Sequence, residues 1–129
     1  MHISGAVHSV MVRSPHAHAD IVSIDAAAAR AMPGALAVLT GADVLADGLA
    51  HIPHATGSSK AGSDVRLAFP DGSERLITRQ LPLPLDRARF VGEAVAMVVA
   101  ETVAQARDAA EQVRIDWRPL PAVVGAVAA

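Results

Sequence analysis

The first half of the chain alternates short β-branched segments with one alanine-rich segment. Residues 6–13 and 21–24 are rich in valine and isoleucine, which predicts two strands joined by a bend at residues 14–18. Residues 26–32 are mostly alanine, follow a carboxylate at Asp25 and stop at a Pro-Gly pair. Because alanine favours helix and a Pro-Gly pair ends it, this stretch predicts a helix of about two turns.

Two threonines mark further helix starts. Thr40 follows a short apolar run that predicts a strand, and it is placed to cap a helical turn that reaches Asp43. Thr102 and Gln105 have the spacing of a capping box. Behind this second start, apolar residues recur at helical spacing, namely Val103, Ala106, Ala110 and Val113. Residues 114–117 then alternate polar and apolar, as an edge strand does before a proline.

The most hydrophobic segment spans residues 90–100, and its valines favour a buried strand over a helix. A Gly-Glu pair interrupts it, and Gly92 predicts a bulge. An ionised carboxylate in such a segment is costly unless it is paired, exposed or directed into a cleft. Two interpretations of Glu93 follow: a surface ion pair with Arg87 or Arg89, or a role facing a ligand.

The middle of the chain, residues 47–85, lacks these patterns. It contains a glycine- and serine-rich tract, two prolines near its end, and alternating residues on both sides of a Pro-Asp-Gly turn, which predicts a surface hairpin. We therefore expect a single α+β domain over residues 1–129, with a mixed sheet, two main short helices and an irregular middle excursion.

Composition narrows the classes of function. The 129 residues are 52% hydrophobic and 19% charged, which is enough apolar content for a packed core. The formal net charge of -2 offers no basic face for nucleic acid, and no apolar run approaches the roughly 18 residues of a membrane span. Without cysteine, the chain has no thiolate for zinc or iron–sulfur clusters. We expect a cytoplasmic protein whose partners are neither nucleic acid nor membrane.

Two histidines in the predicted bend, His16 and His18, are the first candidates for chemistry. On an extended segment both would project from one face and supply two metal ligands. A third ligand would have to come from one of the distant histidines, which are His2, His8, His51 and His54. Nothing in the sequence brings these close, so structural or interface histidines are the alternative interpretation, and we expect no metal site.

The segment around these histidines combines a proline-restricted backbone with polar side chains. Ser14, with a histidine and Asp20 nearby, contains the elements of a hydrolytic triad, but a triad is defined by geometry and these residue types often occur together. A docking loop fits better, because an arginine fork and imidazoles can bond across an interface. Its interface residues would be Arg13, Ser14, His16 and His18. An ordinary solvent-exposed connection is the other interpretation.

Several blocks, in one order, carry a family resemblance, among them residues 13–19 (RSPHAHA), 37–43 (AVLTGAD), 89–96 (RFVGEAVA), 99–102 (VAET) and 120–124 (LPAVV). Together they resemble the molybdenum hydroxylases, which include xanthine dehydrogenases, aldehyde oxidases and aerobic carbon monoxide dehydrogenases. The resemblance covers nearly the whole chain except its middle. It implies the α/β-hammerhead domain at the N-terminal end of the large, molybdopterin-binding subunit.

What the resemblance implies about chemistry lies mostly outside this chain. In such enzymes the molybdenum cofactor and the catalytic glutamate belong to later segments, and FAD and iron–sulfur clusters to other domains or subunits. We therefore expect no catalytic residue here and no cofactor bound by this domain alone. Gly92 and Glu93 are the candidates for a position near the cofactor.

Two functions follow from these observations. The first is a structural, packing domain of a molybdenum hydroxylase, an oxidoreductase, that is inactive alone. Its partner would be the molybdopterin-binding remainder of the large subunit, and the isolated domain would self-associate through uncovered apolar surface. The second is a free-standing module that binds a protein or a metal ion through the loop Arg13–His18.

Overall fold

The computed structural model describes residues 3–52, 70–73, 80–123 and 125. Their six strands are β1 (His8–Arg13), β2 (Ala19–Asp25), β3 (Ala35–Thr40), β4 (Arg87–Ala88), β5 (Ala94–Ala100) and β6 (Arg114–Pro119). Their three helices are α1 (Ala27–Arg30), α2 (Gly41–Ala46) and α3 (Val103–Glu111). None of the helices in these ranges has the length and apolar character needed to cross a membrane.

The strands form two separate three-stranded sheets, and every strand pair is antiparallel. Sheet A has the order β1-β5-β3, and sheet B has the order β4-β2-β6. The bend at residues 14–18 therefore carries the chain from one sheet to the other. The pattern predicts one mixed sheet, whereas the structure divides the strands between two antiparallel sheets. The residue pattern within a strand does not specify which strand it pairs with. The edge position predicted for β6 is confirmed.

The helix starts at both threonines are confirmed. The amide and the hydroxyl of Thr40 each donate to the carboxylate of Asp43 at 2.7 Å. These hydrogen bonds, the side-chain one first, lower the pKa of Asp43 below its ordinary value. At α3, the amide of Gln105 donates to the hydroxyl oxygen of Thr102 at 3.2 Å, and that hydroxyl donates to the Gln105 side chain at 2.9 Å. Local sequence thus determines where α2 and α3 begin.

The helix α1 is shorter than predicted, with four residues. It begins at Ala27, one residue later than predicted, and the carboxylate of Asp25 accepts a hydrogen bond from the amide of Ala27 at 2.9 Å. The chain then turns at Gly34, whose φ of 76° suits glycine. A Cβ atom there would clash with the side chain of Gln105. The turn between α1 and β3 therefore packs directly against the start of α3.

The core between sheet A and the helices is aliphatic and rich in alanine. Val98 of β5 and Val38 of β3 pack with Ala29 of α1 and Ala109 of α3, all of them buried. Small helix side chains allow the helices to lie close to the sheet. Val103 is 41% exposed, although helical spacing predicts it on the buried face. It is the first residue of α3 and precedes the turn that carries the buried alanines.

The excursion over residues 47–85 is described only in part. Both arms of the hairpin predicted there lie outside the described residues. The turn between them is held by Asp71, whose carboxylate accepts hydrogen bonds from the amide of Ser73 at 2.9 Å and from its hydroxyl at 2.6 Å. These contacts lower the pKa of Asp71.

The end of the excursion packs against the start of α2. Leu83 and Pro84 are buried. A Cβ atom on Gly41 would lie 2.4 Å from the carbonyl oxygen of Pro84 and 3.0 Å from that of Leu83. Glycine at position 41 therefore allows the backbone of residues 83–84 to lie close to α2. This contact positions the segment that leads into β4.

Candidate functional site

The two segments that the sequence marks as separate candidates meet in the structure. The amide of Ser14 donates to the carbonyl oxygen of Glu93 at 2.9 Å, and the amide of Gly92 donates to the carbonyl oxygen of Ser14 at 2.8 Å. The guanidinium of Arg13 donates to the carbonyl oxygen of Gly92 at 2.8 Å. Arg13, Ser14, Gly92 and Glu93 therefore form one unit at the start of β5.

Residues 89–93 form a closed turn, called here the 89–93 turn. The carboxylate of Glu93 is buried and accepts a hydrogen bond from the amide of Arg89. The amide of Glu93 donates to the carbonyl oxygen of Phe90 at 3.2 Å. Neither interpretation from sequence describes this contact, because the carboxylate bonds a backbone amide of its own turn. Glu93 thus stabilises the turn in which it lies.

Gly92 lies in this turn and not in a strand bulge, so the predicted bulge is wrong. Its φ is 86°, a left-handed conformation that favours glycine. The irregularity lies within β5 itself. Arg13 pairs with Ala94 and Val12 pairs with Ala96, so Val95 is an additional residue without a partner on β1.

The loop between β1 and β2 uses its polar side chains internally. Ser14 is buried, and its hydroxyl oxygen accepts from the amide of His16 at 3.1 Å while its hydroxyl lies 3.0 Å from the carbonyl oxygen of His16. The ring of His16 meets the ring of Trp117 edge-on, with 5.5 Å between centroids. His18 Nδ1 lies 2.8 Å from the carbonyl oxygen of Pro121. The loop is thus fastened to β6 and to the residues after it.

Asp20 is the centre of an ion-pair cluster in sheet B. Its carboxylate is nearly buried and bonds Arg118 Nη2 at 2.6 Å and Arg87 Nε at 2.7 Å, one on each neighbouring strand. Hydrogen bonds from Arg118 first, and then from Arg87, hold the pKa of Asp20 below its ordinary value. From its position in the sequence, Asp20 is only a possible triad member. The alternation in β2 and β6 is a signal that could have paired it with an arginine.

The hydrolytic triad considered from sequence finds no support in this geometry, and two of the candidate third metal ligands, His2 and His54, lie outside the described residues. The hydroxyl of Ser14 bonds backbone and Asp20 bonds two arginines, so neither is oriented by a histidine as a triad requires. In the part of the chain that the structure describes, no group of three or more metal-ligand side chains gathers. His16 and His18 each contact β6 or the residues after it.

An open cleft of about 560 Å³ lies beside the 89–93 turn. Its lining residues are His51, Gln80, Leu81, Pro84, Leu85, Asp86, Arg89, Phe90 and Glu93. The buried carboxylate of Glu93 lies in its wall, already bonded to the amide of Arg89. The cleft therefore joins the turn to the end of the excursion.

Large apolar side chains around this cleft are exposed. Phe90 is 53% exposed, Val91 is 64% exposed and Leu85 is 42% exposed. The sequence places Phe90 and Val91 in a buried strand, and this prediction is wrong. The strand begins only at Ala94, because the Gly92 turn first reverses the chain and leaves the two side chains outside sheet A.

Known proteins resemble this chain over nearly its whole length. Residues 1–121 match the family described as aldehyde oxidase and xanthine dehydrogenase, a/b hammerhead domain. The carbon monoxide dehydrogenase large chain of Afipia carboxidovorans is 36% identical over 122 residues, which are 95% of this chain and 13% of that protein. The xanthine dehydrogenase molybdenum-binding subunit of Escherichia coli O157:H7 is 37% identical over 122 residues, which are 94% of this chain and 14% of that protein.

Solved structures show the same fold. The crystal structure of quinoline 2-oxidoreductase from Pseudomonas putida 86 superposes with a TM-score of 0.79 at 40% identity, covering 99% of this chain and 14% of that one. The α+β hammerhead fold expected from sequence is therefore confirmed. The chain spans only 13–14% of the length of these relatives. It belongs to the hammerhead-domain family of the aldehyde oxidases and xanthine dehydrogenases.

Proposed function

We propose that this chain serves as a structural domain of the large, molybdopterin-binding subunit of a molybdenum hydroxylase and is inactive alone. One observation carries the proposal: residues 1–121 match the hammerhead family. In the relatives, the region that matches this chain is only 13–14% of the whole protein. The parent enzyme would be an oxidoreductase of the xanthine dehydrogenase, aldehyde oxidase or carbon monoxide dehydrogenase type. Its activity would arise after this domain has packed on the remainder of the subunit.

The use of the charged side chains supports a packing role. Glu93 bonds the amide of Arg89, Asp20 bonds two arginines, and Asp43 caps α2. A general acid or base must lie within hydrogen-bond distance of the substrate atom to which, or from which, it transfers a proton. These three carboxylates instead hold turns, strands and a helix start together.

The candidate residues beside the 89–93 turn already have partners within the chain. The Arg13 guanidinium, the Ser14 hydroxyl and the Glu93 carboxylate each bond a backbone group of this chain. We propose that molybdopterin is held by the other segments of the large subunit. FAD and iron–sulfur clusters would belong to other domains or subunits, in line with a sequence without cysteine.

A position of Gly92 and Glu93 close to the cofactor stays a prediction. The variant Glu93→Gln tests it in the assembled enzyme, because the amide oxygen of glutamine can still accept from the Arg89 amide. If the charge acts on the reacting centre, kcat and its pH profile change. If both are unchanged, Glu93 acts only within its turn.

The decisive experiment is affinity purification of the tagged chain from its native cells. The purified material would be analysed for molybdenum by elemental analysis, for flavin and iron–sulfur clusters by absorption spectroscopy, and for partner proteins by mass spectrometry. We expect a molybdenum-containing protein in stoichiometric amount. Recovery of the chain without molybdenum would contradict the proposal. Fractionation of the same cells would test the predicted cytoplasmic location.

The alternative function, a module that binds a protein or metal through the loop Arg13–His18, is less consistent with the contacts. His16 packs on Trp117 and His18 Nδ1 bonds the carbonyl oxygen of Pro121, so both rings are held against β6 and the residues after it, and no group of three metal-ligand side chains gathers among the described residues. Titration with zinc, monitored by calorimetry, separates the two functions. Tight stoichiometric binding that is lost in His16→Ala and His18→Ala would support the module. Weak binding, equal in wild type and variants, would support the packing domain.

A further inference from the structure

The cleft beside the 89–93 turn contains an acidic group that the chain uses only in part. Glu93 lines the cleft and is 9% exposed, and its Oε2 accepts from the amide of Arg89. Among the described residues, no group bonds the second oxygen, Oε1. Every buried side-chain oxygen in those residues has a hydrogen-bond partner, so Oε1 is in contact with solvent. One oxygen of a nearly buried carboxylate is therefore open to the cleft.

The cations near the cleft are paired with other groups. Arg89 Nη2 lies 3.8 Å from the carboxylate of Asp86, and Arg89 Nη1 donates to the carbonyl oxygen of Arg87 at 2.9 Å. The guanidinium of Arg87 pairs with Asp20. Within the described ranges, no side-chain nitrogen of lysine, arginine or histidine lies within 4.0 Å of the Glu93 carboxylate. The cleft thus presents a negative charge without a counter-charge, which a bound cation would stabilise.

The remaining lining of the cleft is apolar and includes one aromatic ring. Phe90 is 53% exposed, and Leu81, Pro84 and Leu85 complete the apolar wall. A volume of about 560 Å³ lies within the range of small-molecule sites, roughly 300–1,000 Å³. The face of an aromatic ring attracts cations and packs on flat apolar groups. The shape and the charge of the cleft therefore favour the same class of ligand.

We propose that this cleft is a binding site for a planar organic cation, of the chemical class of amidines and protonated aromatic amines. The N–H groups of the ligand donate to Glu93 Oε1, and its ring packs on Phe90. Hydrogen bonds between an ionised donor and a carboxylate are about twice as strong as neutral ones. An anion would be repelled by the same carboxylate. The site does not depend on the proposed packing function, since the chain by itself contains every residue named.

Three probes of nearly the same shape and different charge test the proposal. Benzamidine is a planar cation, benzamide is its neutral counterpart, and benzoate is an anion. Each would be titrated into the purified, nitrogen-15-labelled chain and followed by NMR. We expect benzamidine to shift the amide signals of Leu85, Arg89 and Phe90 in a saturable manner. Its Kd should be at least about tenfold lower than that of benzamide, and benzoate should bind least.

Glu93→Gln removes the charge and keeps an acceptor for the amide of Arg89. We expect its Kd for benzamidine to rise about tenfold and its Kd for benzamide to stay nearly constant. Glu111→Gln, at an exposed position of α3, is the control and should bind benzamidine as the unchanged chain does. The NMR spectrum of each variant also shows whether it folds.

Phe90→Ala gives a second test that leaves the carboxylate in place. We expect it to raise the Kd for benzamidine about two- to fivefold, as loss of an exposed cation–π contact does. Leu36→Ala is its control, because Leu36 is also 53% exposed and does not line the cleft. Equal affinity for benzamidine and benzamide, signal shifts confined to other parts of the chain, or no saturable binding would overturn the proposal. Unchanged benzamidine affinity in a folded Glu93→Gln or in Phe90→Ala would overturn it as well.

Discussion

Arg13 donates a hydrogen bond of 2.8 Å to the carbonyl oxygen of Gly92, which lies 79 positions further along the chain. The backbone of Ser14 bonds both Gly92 and Glu93 at the same place. These contacts extend the antiparallel pairing of β1 and β5 past the end of sheet A. These hydrogen bonds thereby fix the 89–93 turn, which the strand pairing of β1 and β5 alone would not hold in place.

Replacement of Arg13 should loosen this turn. Arg13→Gln removes the charged donor to Gly92, and we expect the free energy of unfolding to fall by about 1 kcal/mol, as for one hydrogen bond at an exposed position. Urea denaturation measures the change. Arg107→Gln, at an exposed position of α3, is the control and should leave stability unchanged. Equal stability of both variants would show that the Arg13 contact adds nothing.

Gly92 should be sensitive to substitution through its backbone alone. A Cβ atom there meets nothing within 4 Å, but the φ of 86° is unfavourable for other residues. We expect Gly92→Ala to lower the free energy of unfolding by about 1–2 kcal/mol. Gly92→Asn should cost less, because asparagine tolerates the left-handed region better. Thermal or urea unfolding of the pair would test this, and equal losses would contradict it.

At Gly41 the order of the two substitutions should be reversed, with alanine the milder change, because the constraint at this position is steric. A Cβ atom would lie 2.4 Å from the carbonyl oxygen of Pro84, so the backbone of residues 83–84 would have to move. We expect Gly41→Ala to cost about 1–3 kcal/mol, as overpacking does, and Gly41→Asn to cost more. Unfolding measurements that rank asparagine as the milder change at position 41 would refute the steric account.

The Asp20 cluster predicts acid sensitivity. The folded-state pKa of Asp20 is lowered from its ordinary 3.8 by hydrogen bonds from Arg118 and then Arg87. A group with a lowered folded pKa stabilises the protein above its unfolded pKa, and this contribution is lost as the pH falls through the folded value. Asp20→Asn should therefore be less stable than wild type at neutral pH, and the difference should shrink below pH 3.8.

Unfolding at a series of pH values checks this prediction. Asp108→Asn is the control, because Asp108 is an exposed residue of α3. A stability difference between wild type and Asp20→Asn that does not narrow as the pH falls would show that the charge of Asp20 is not the source of its contribution.

The parts of the fold that sequence predicts are those decided locally. Thr40 with Asp43 and Thr102 with Gln105 are each three residues apart, so the helix starts follow from the residues that make them. The valines of β5 likewise predict a strand without reference to any partner.

The candidate site could be predicted only in pieces. Arg13 and Gly92 are visible in the sequence as separate features, but their contact depends on the pairing of β1 with β5. Asp20 and Arg118 are 98 positions apart and meet because β2 pairs with β6. Phe90 is apolar in an apolar run, so its exposure follows only from the turn at Gly92.

An isolated chain should associate with itself through the patch of Leu85, Phe90 and Val91. Without a partner, these side chains stay in water, and burying them against a second copy is favourable. We expect sedimentation velocity to show a weight-average mass that rises with concentration for the purified chain. The rise should be largely absent in Phe90→Asp with Val91→Asp. It should be retained in Leu36→Asp with Val22→Asp, where the replaced side chains are exposed to nearly the same fraction. A strictly monomeric wild type would contradict the prediction, and association that survives in the patch variant would assign it to another surface.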